Sequence, residues 1–224
     1  MASRMLGMMA APLTALAAAA AMAMDPSAAD VAGVRLGDDA SRARAALARA
    51  GYRPRPSLRT DGLTYGESFA ARVRREAAAR RGAANRSPRE EVITAIDATG
   101  PNQEWVRVEL LPKPTGSAVT KVQLVLSADR MRPDEFLRQV EAKYGAPDRR
   151  ASGRELTWCA AEARDVCDRP SPQRRWSNHP HLRATVLGGN VLRLSAGDEV
   201  HERHRREIAA AVDAVAPKAN GAAF

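Results

Sequence analysis

The feature that most constrains this fold is a pair of alternating runs near the middle of the chain. Val106, Val108 and Leu110 alternate with Arg107 and Glu109, and Val122, Leu124 and Leu126 alternate with Lys121 and Gln123. Side chains of a strand point alternately to opposite faces, so each run has one apolar and one polar face. Period two with a single apolar face predicts an antiparallel sheet covered on one side. With Val92 to Ala98, the strands span 92–98, 104–111 and 120–126, joined by G-P-N-Q and P-K-P-T-G-S at hairpin length.

Helices flank this region. Asp39 stands where an N-cap accepts from the free N–H groups of a helix over 40–50, and Gly51 ends it. That helix has a thin apolar face: Ala43, Ala46, Leu47 and Ala50. Phe69, Val73 and Ala77 repeat at helical spacing and predict a second helix over 67–81. Pro133 opens a third, with Phe136, Leu137, Val140 and Tyr144 as its stripe and Gly145 as its stop. A strand over 154–159 and a hairpin of 182–187 with 191–195 follow. The last helix runs over 198–215, with Val200, His204, Ile208, Ala211 and Val215 on one side. The predicted class is α+β, with helices packed on antiparallel sheet and a C-terminal helix.

The predicted organisation is a leader over 1–23, a first α+β unit over 34–126, a second over 127–216, and a flexible tail over 217–224. Residues 24–33 are small and polar and read as a mobile leader to the first unit. The units echo each other: strand, helix, Gly51 and Pro54 in one, strand, helix, Gly145 and Pro147 in the other. The opening V-x-L-G-D-D-A-S-R-A-R-A-A-L-x-x-A-G-Y, over 34–52, resembles the start of exported bacterial modules of the small barrel-assembly lipoprotein type. The tandem form resembles the fold of the β-lactamase-inhibitor protein. The resemblance implies a binding or scaffolding module of the cell envelope. It names no partner and carries over no functional residue. The chain departs from the lipoprotein type in lacking a Cys after the leader and in its greater length.

Export is also expected from the N-terminus itself. Arg4 precedes an uncharged run from Leu6 to Ala21, and Ala21-Met22-Ala23 offers the small residues a signal peptidase accepts. The run is short and Ala-rich for a bilayer span, so a cleaved signal is favoured over an anchor, and no transmembrane segment is expected in the mature chain. A periplasmic or secreted location follows. Removing Arg4 takes the formal charge from +9 to +8. Such a charge attracts acidic partners through fields that salt screens. In an exported chain the expected partner is an envelope protein or an anionic envelope polymer. Nucleic acid is not expected, because no basic stripe with interleaved aromatics occurs.

An oxidising compartment favours pairing the two cysteines, Cys159 and Cys167. Their spacing is neither that of a zinc knuckle nor that of a redox C-x-x-C. A structural disulfide is expected.

Catalytic signatures are weak. Gly66-Glu67-Ser68-Phe69-Ala70 lacks the strand and parallel sheet that a nucleophile elbow needs. No Ser has a Lys three residues later, and Gly188-Gly189-Asn190 opens no helix that could cradle phosphate. The expectation is a non-catalytic protein without cofactor; a small exported hydrolase is the less favoured alternative. Two groups of residues remain as candidate sites. The irregular stretch 160–180 carries Arg164, Arg169, Arg174, Arg175 and Trp176, and Trp and Arg dominate binding hot spots. Trp176 is expected at the surface of this loop, where a partner docks. The second group is His179, His181, His201 and His204. A hairpin centred on Gly189 would place Leu182 near Ser195 and His181 near Ala196, drawing all four imidazoles toward Asp198. That arrangement would suit Zn²⁺ or Cu²⁺.

Overall fold

A computed structural model describes residues 24–55, 61–84, 89–167 and 175–217. The expected signal segment, most of the expected tail, and Arg169 and Arg174 lie outside the described residues.

The chain begins with a short ribbon of β1 (Asp30–Val31) and β2 (Val34–Arg35). Helix α1 (Ala40–Arg49) follows, its first turn capped by the Asp39 carboxylate, which accepts from the Arg42 N–H at 2.8 Å. Next come β3 (Arg53–Pro54), β4 (Leu63–Glu67) and α2 (Phe69–Arg80). Strands β5 (Glu91–Thr99), β6 (Trp105–Pro112) and β7 (Ser117–Leu126) complete the first half. The second half holds α3 (Pro133–Tyr144), β8 (Arg149–Ala151), β9 (Glu155–Cys159), the short α4 (Arg164–Cys167), β10 (His181–Thr185), β11 (Asn190–Ser195) and α5 (Glu199–Val215). The class is α+β, with a large antiparallel sheet and a C-terminal helix.

Strands from both halves form one nine-stranded sheet in the order β3-β5-β6-β7-β11-β10-β9-β8, with β4 also on β5. The boundary expected at 126/127 falls at the end of β7, and the seam between the halves is the β7–β11 pairing. The apolar positions of the alternating runs all point to one side. Val106, Val108, Val122, Leu182, Leu194 and Trp158 are buried there, with Ala43 and Leu47 of α1 and Phe136 and Val140 of α3 in the same core cluster. The expected mobile leader is corrected: Val31 is fully buried in this cluster. A small apolar side chain at the ribbon finds a place between helix and sheet, so the segment is part of the core.

Three further expectations shift. Residues 63–67 are an edge strand rather than part of a connection and a helix start. Helix α2 begins after Ser68, whose hydroxyl accepts from the Ala71 N–H at 3.1 Å. Along α5 the buried line is Val200, His204, Ile208 and Val212, while Val215 is 56% exposed. Helices α2 and α5 pack on each other through a second, smaller cluster of Phe69, Val73, Ala77, Ile208 and Val212.

Candidate functional site on the polar face of the sheet

The polar positions of the same alternation form the opposite face. Register places Asp97 opposite Arg107, Arg107 opposite Gln123, and Gln123 opposite Arg193. Arg193 lies opposite Arg183, Arg183 opposite Thr157, and Thr157 opposite Arg149. These positions make a single row across the strands. Neighbouring strands lie about 4.8 Å apart, so the row spans roughly 29 Å.

Both ends of the row carry their own counter-charge. Arg107 Nη1 is 3.2 Å from Asp97 Oδ2. Arg183 pairs with the buried Glu155, and Arg149 Nη1 is 3.8 Å from the same carboxylate. The centre differs. Arg193 donates from Nη2 to the neutral Gln123 amide at 3.0 Å. Among the described residues no carboxylate lies within ion-pair distance of Arg193. The Nε atoms of Arg183 and Arg193 and the Thr157 hydroxyl are buried without a hydrogen-bond partner. Lys121, held 3.1 Å from Glu109, continues the basic character one position along. Arg107, Lys121, Arg193, Arg183 and Arg149 share this face with Asp97, Glu109 and Glu155, so cations outnumber carboxylates.

A cavity of about 280 Å³ opens over the middle of this face, lined in part by Lys121, Arg183, Arg193, His181, Trp176 and Asp198. Its wall is the 3-10 turn Arg175–Asn178. The wall is fixed at its far side by α5: the Asp198 N–H donates to the Ser177 carbonyl at 3.0 Å, and the Ser177 hydroxyl to the Asp198 carboxylate at 3.2 Å. Gly197, at φ +84°, makes this approach possible, because a Cβ there would collide with the Asn178 carbonyl.

The loop residues are placed differently from expectation. Trp176 is corrected from a docking contact to a buried residue, 2% exposed. It packs with Ala163 and the Cys159–Cys167 disulfide, and its ring meets His181 edge-on at 5.0 Å. The bridge itself, with a Cα–Cα distance of 6.3 Å, is as expected. Its two buried sulfurs provide the apolar patch that draws the indole inward. Arg164 pairs with Asp148 at 3.2 Å. Arg175 opens the 3-10 turn.

The four histidines do not converge. The register differs by one residue from the expected one, so His181 faces Ser195 and Leu182 faces Leu194. That register sets leucine against leucine on the core side; the expected one would have set Leu182 against an open-face serine. His181 binds the His179 carbonyl through Nδ1 at 2.9 Å, and burial pushes its pKa down. His179 lies 3.7 Å from Glu162. His204 packs against Phe69 of α2 at 5.9 Å, and burial followed by Lys113 and Arg72 holds its pKa down. His201 alone joins His181 at the cavity. Among the described residues no group of three or more His, Cys, Asp or Glu side chains could hold a metal ion. The shared four-histidine metal site is thereby corrected.

Sequence reading missed Arg183 and Arg193 as site residues. Their signal was present as the polar members of the last alternation, L-R-A-T and V-L-R-L-S, but only the register shows that they are neighbours. Among the described residues no helix is long and apolar enough to cross a membrane. No protein-family profile, curated protein or solved structure matches the chain.

Proposed function

We propose that this chain is an exported, non-catalytic cell-envelope protein that binds an anionic envelope polymer along the polar face of its sheet. The observation that carries the reading is the directly opposed pair Arg183 and Arg193, one of them without a carboxylate partner. Like charges facing each other across strands are destabilising. An anionic group seated between them turns that repulsion into two charge-assisted hydrogen-bond sets. A polymer suits the row better than a compact acidic protein, because guanidinium groups recur along one line across the strands. The N-terminal segment and the resemblance of residues 34–53 to envelope modules support the export part of the reading, and a disulfide belongs in an oxidising compartment.

The test is binding of the mature chain to a phosphate- or carboxylate-bearing polysaccharide at several salt concentrations. Arg193→Gln should weaken binding about tenfold, the scale of one lost charged hydrogen bond, and flatten the salt dependence. Arg42→Gln, on exposed α1 away from the face, should change neither. Equal effects of the two substitutions would reduce the interaction to net charge and remove the reading. Preference for an acidic envelope protein over every polymer would overturn the choice of partner.

A further inference from the structure

A second, larger cavity lies on the other side of the sheet. It measures about 670 Å³, within the range of small-molecule sites. Helix α1 packs on the first half of the sheet and α3 on the second, and a slot beside α3 runs over the β7–β11 seam. Its floor is Leu124 and Leu192, directly opposite each other. Leu124 is partly exposed although its other cross-strand neighbour, Val106, is fully buried. Phe136 and Val140 of α3 form one wall, and the turn joining β5 to β6 forms the other.

The charges around this slot are not equivalent. Glu104 is buried in the turn wall, accepts from the Asn102 N–H at 2.8 Å and is hydrogen-bonded to Tyr52, whose pKa rises through burial and this carboxylate. A Cβ at Gly100 would collide with both Glu104 and Tyr52, so the wall is built around that pair. Lys143 is neutralised by Asp30 at 3.2 Å. Arg130 is exposed at the mouth and donates at 2.7 Å to the neutral Gln103 amide across the slot. Among the described residues no carboxylate pairs with it. The cavity thus has an apolar floor, a satisfied acid in its wall, and one cation at its opening without a counter-charge.

We propose that this groove binds a single-chain amphiphile with an anionic head, an alkyl carboxylate, its chain over Leu124 and Leu192 and its carboxylate on Arg130. The planar guanidinium can take a carboxylate through two parallel hydrogen bonds after releasing Gln103. The site is independent of the arginine row, which lies on the opposite face of the same strands.

Calorimetric titration of the mature chain with dodecanoate, below micelle formation, tests it. One equivalent should bind, dodecyltrimethylammonium should bind at least tenfold more weakly, and hexanoate more weakly than dodecanoate. Arg130→Glu should lower dodecanoate affinity at least tenfold and reverse the preference between the two head groups. Gln139→Trp, an exposed lining position on α3, should block the slot while a normal thermal melt shows that the chain still folds. Arg193→Gln should leave dodecanoate binding unchanged, which separates failure of this site from failure of the basic face. Absence of saturable binding, indifference to head-group charge, or no effect of Arg130→Glu would overturn the proposal.

Discussion

Arg183 and Arg193 face each other across β10 and β11, and among the described residues the side chain of Arg193 bonds only to the neutral Gln123. In the unliganded protein this pair stores repulsion. Arg193→Gln should therefore raise stability by up to about 1 kcal/mol, the upper end of a cross-strand charge effect. Sulfate or a soluble polyanion should raise the melting temperature of the wild type more than that of the variant. Thermal melts with and without polyanion check both. A lower melting temperature for the unliganded variant would contradict the stored repulsion.

Trp176 closes the small cluster built on the disulfide. Trp176→Ala should cost about 3–5 kcal/mol, the scale of an aromatic removed from a packed interior. Urea unfolding measures it. A loss below about 1 kcal/mol is what a surface residue would give.

Replacing both Cys159 and Cys167 by Ala should cost about 2–3 kcal/mol through the entropy of the short loop they close. Trp176 fluorescence should report loosening of the cavity wall, since the indole rests on the bridge. Thiol labelling of the unreduced wild type should give no signal. Full labelling of the folded chain would sink the bridge.

His181 and His204 are both held neutral by burial, with pKa values below the ordinary value of 6.5. The unfolded chain therefore takes up protons first as pH falls. The stability carried by the neutral imidazoles is complete above about pH 6.5 and is lost as pH drops through that value toward the lower folded pKa values. Melting temperatures between about pH 7.5 and 5 should decline, and His204→Leu should flatten the decline by removing one of the two groups. An identical slope in the variant would mean that His204 titrates as it does in the unfolded chain.

The central strands were legible because Val106, Val108, Val122 and Leu124 repeat at a period that only a half-covered sheet satisfies. The helices were legible through Asp39, Pro133 and the glycines that stop them. Strand β4 was not, because an edge strand with a bulge between Thr64 and Tyr65 and half-exposed side chains leaves no clean alternation. Trp176 misled for a related reason. Its burial depends on a disulfide and on His181, contacts that no local period encodes. The basic row was least accessible of all: each arginine looked like an ordinary solvent-facing residue, and the row exists only when seven strands are in register.

The seam between β7 and β11 joins residues far apart in the chain, as with Gln123 and Arg193, separated by 70 positions. During synthesis β7 is complete long before its partner is made. Until residues 190–195 arrive, one side of β7 is a bare row of N–H and C=O groups, able to recruit the β11 of another molecule. Correct closure is a race between intramolecular return of the C-terminal hairpin and exchange of halves between copies. Dilution favours the first and crowding of nascent chains the second, so the yield of monomer on refolding should fall as concentration rises.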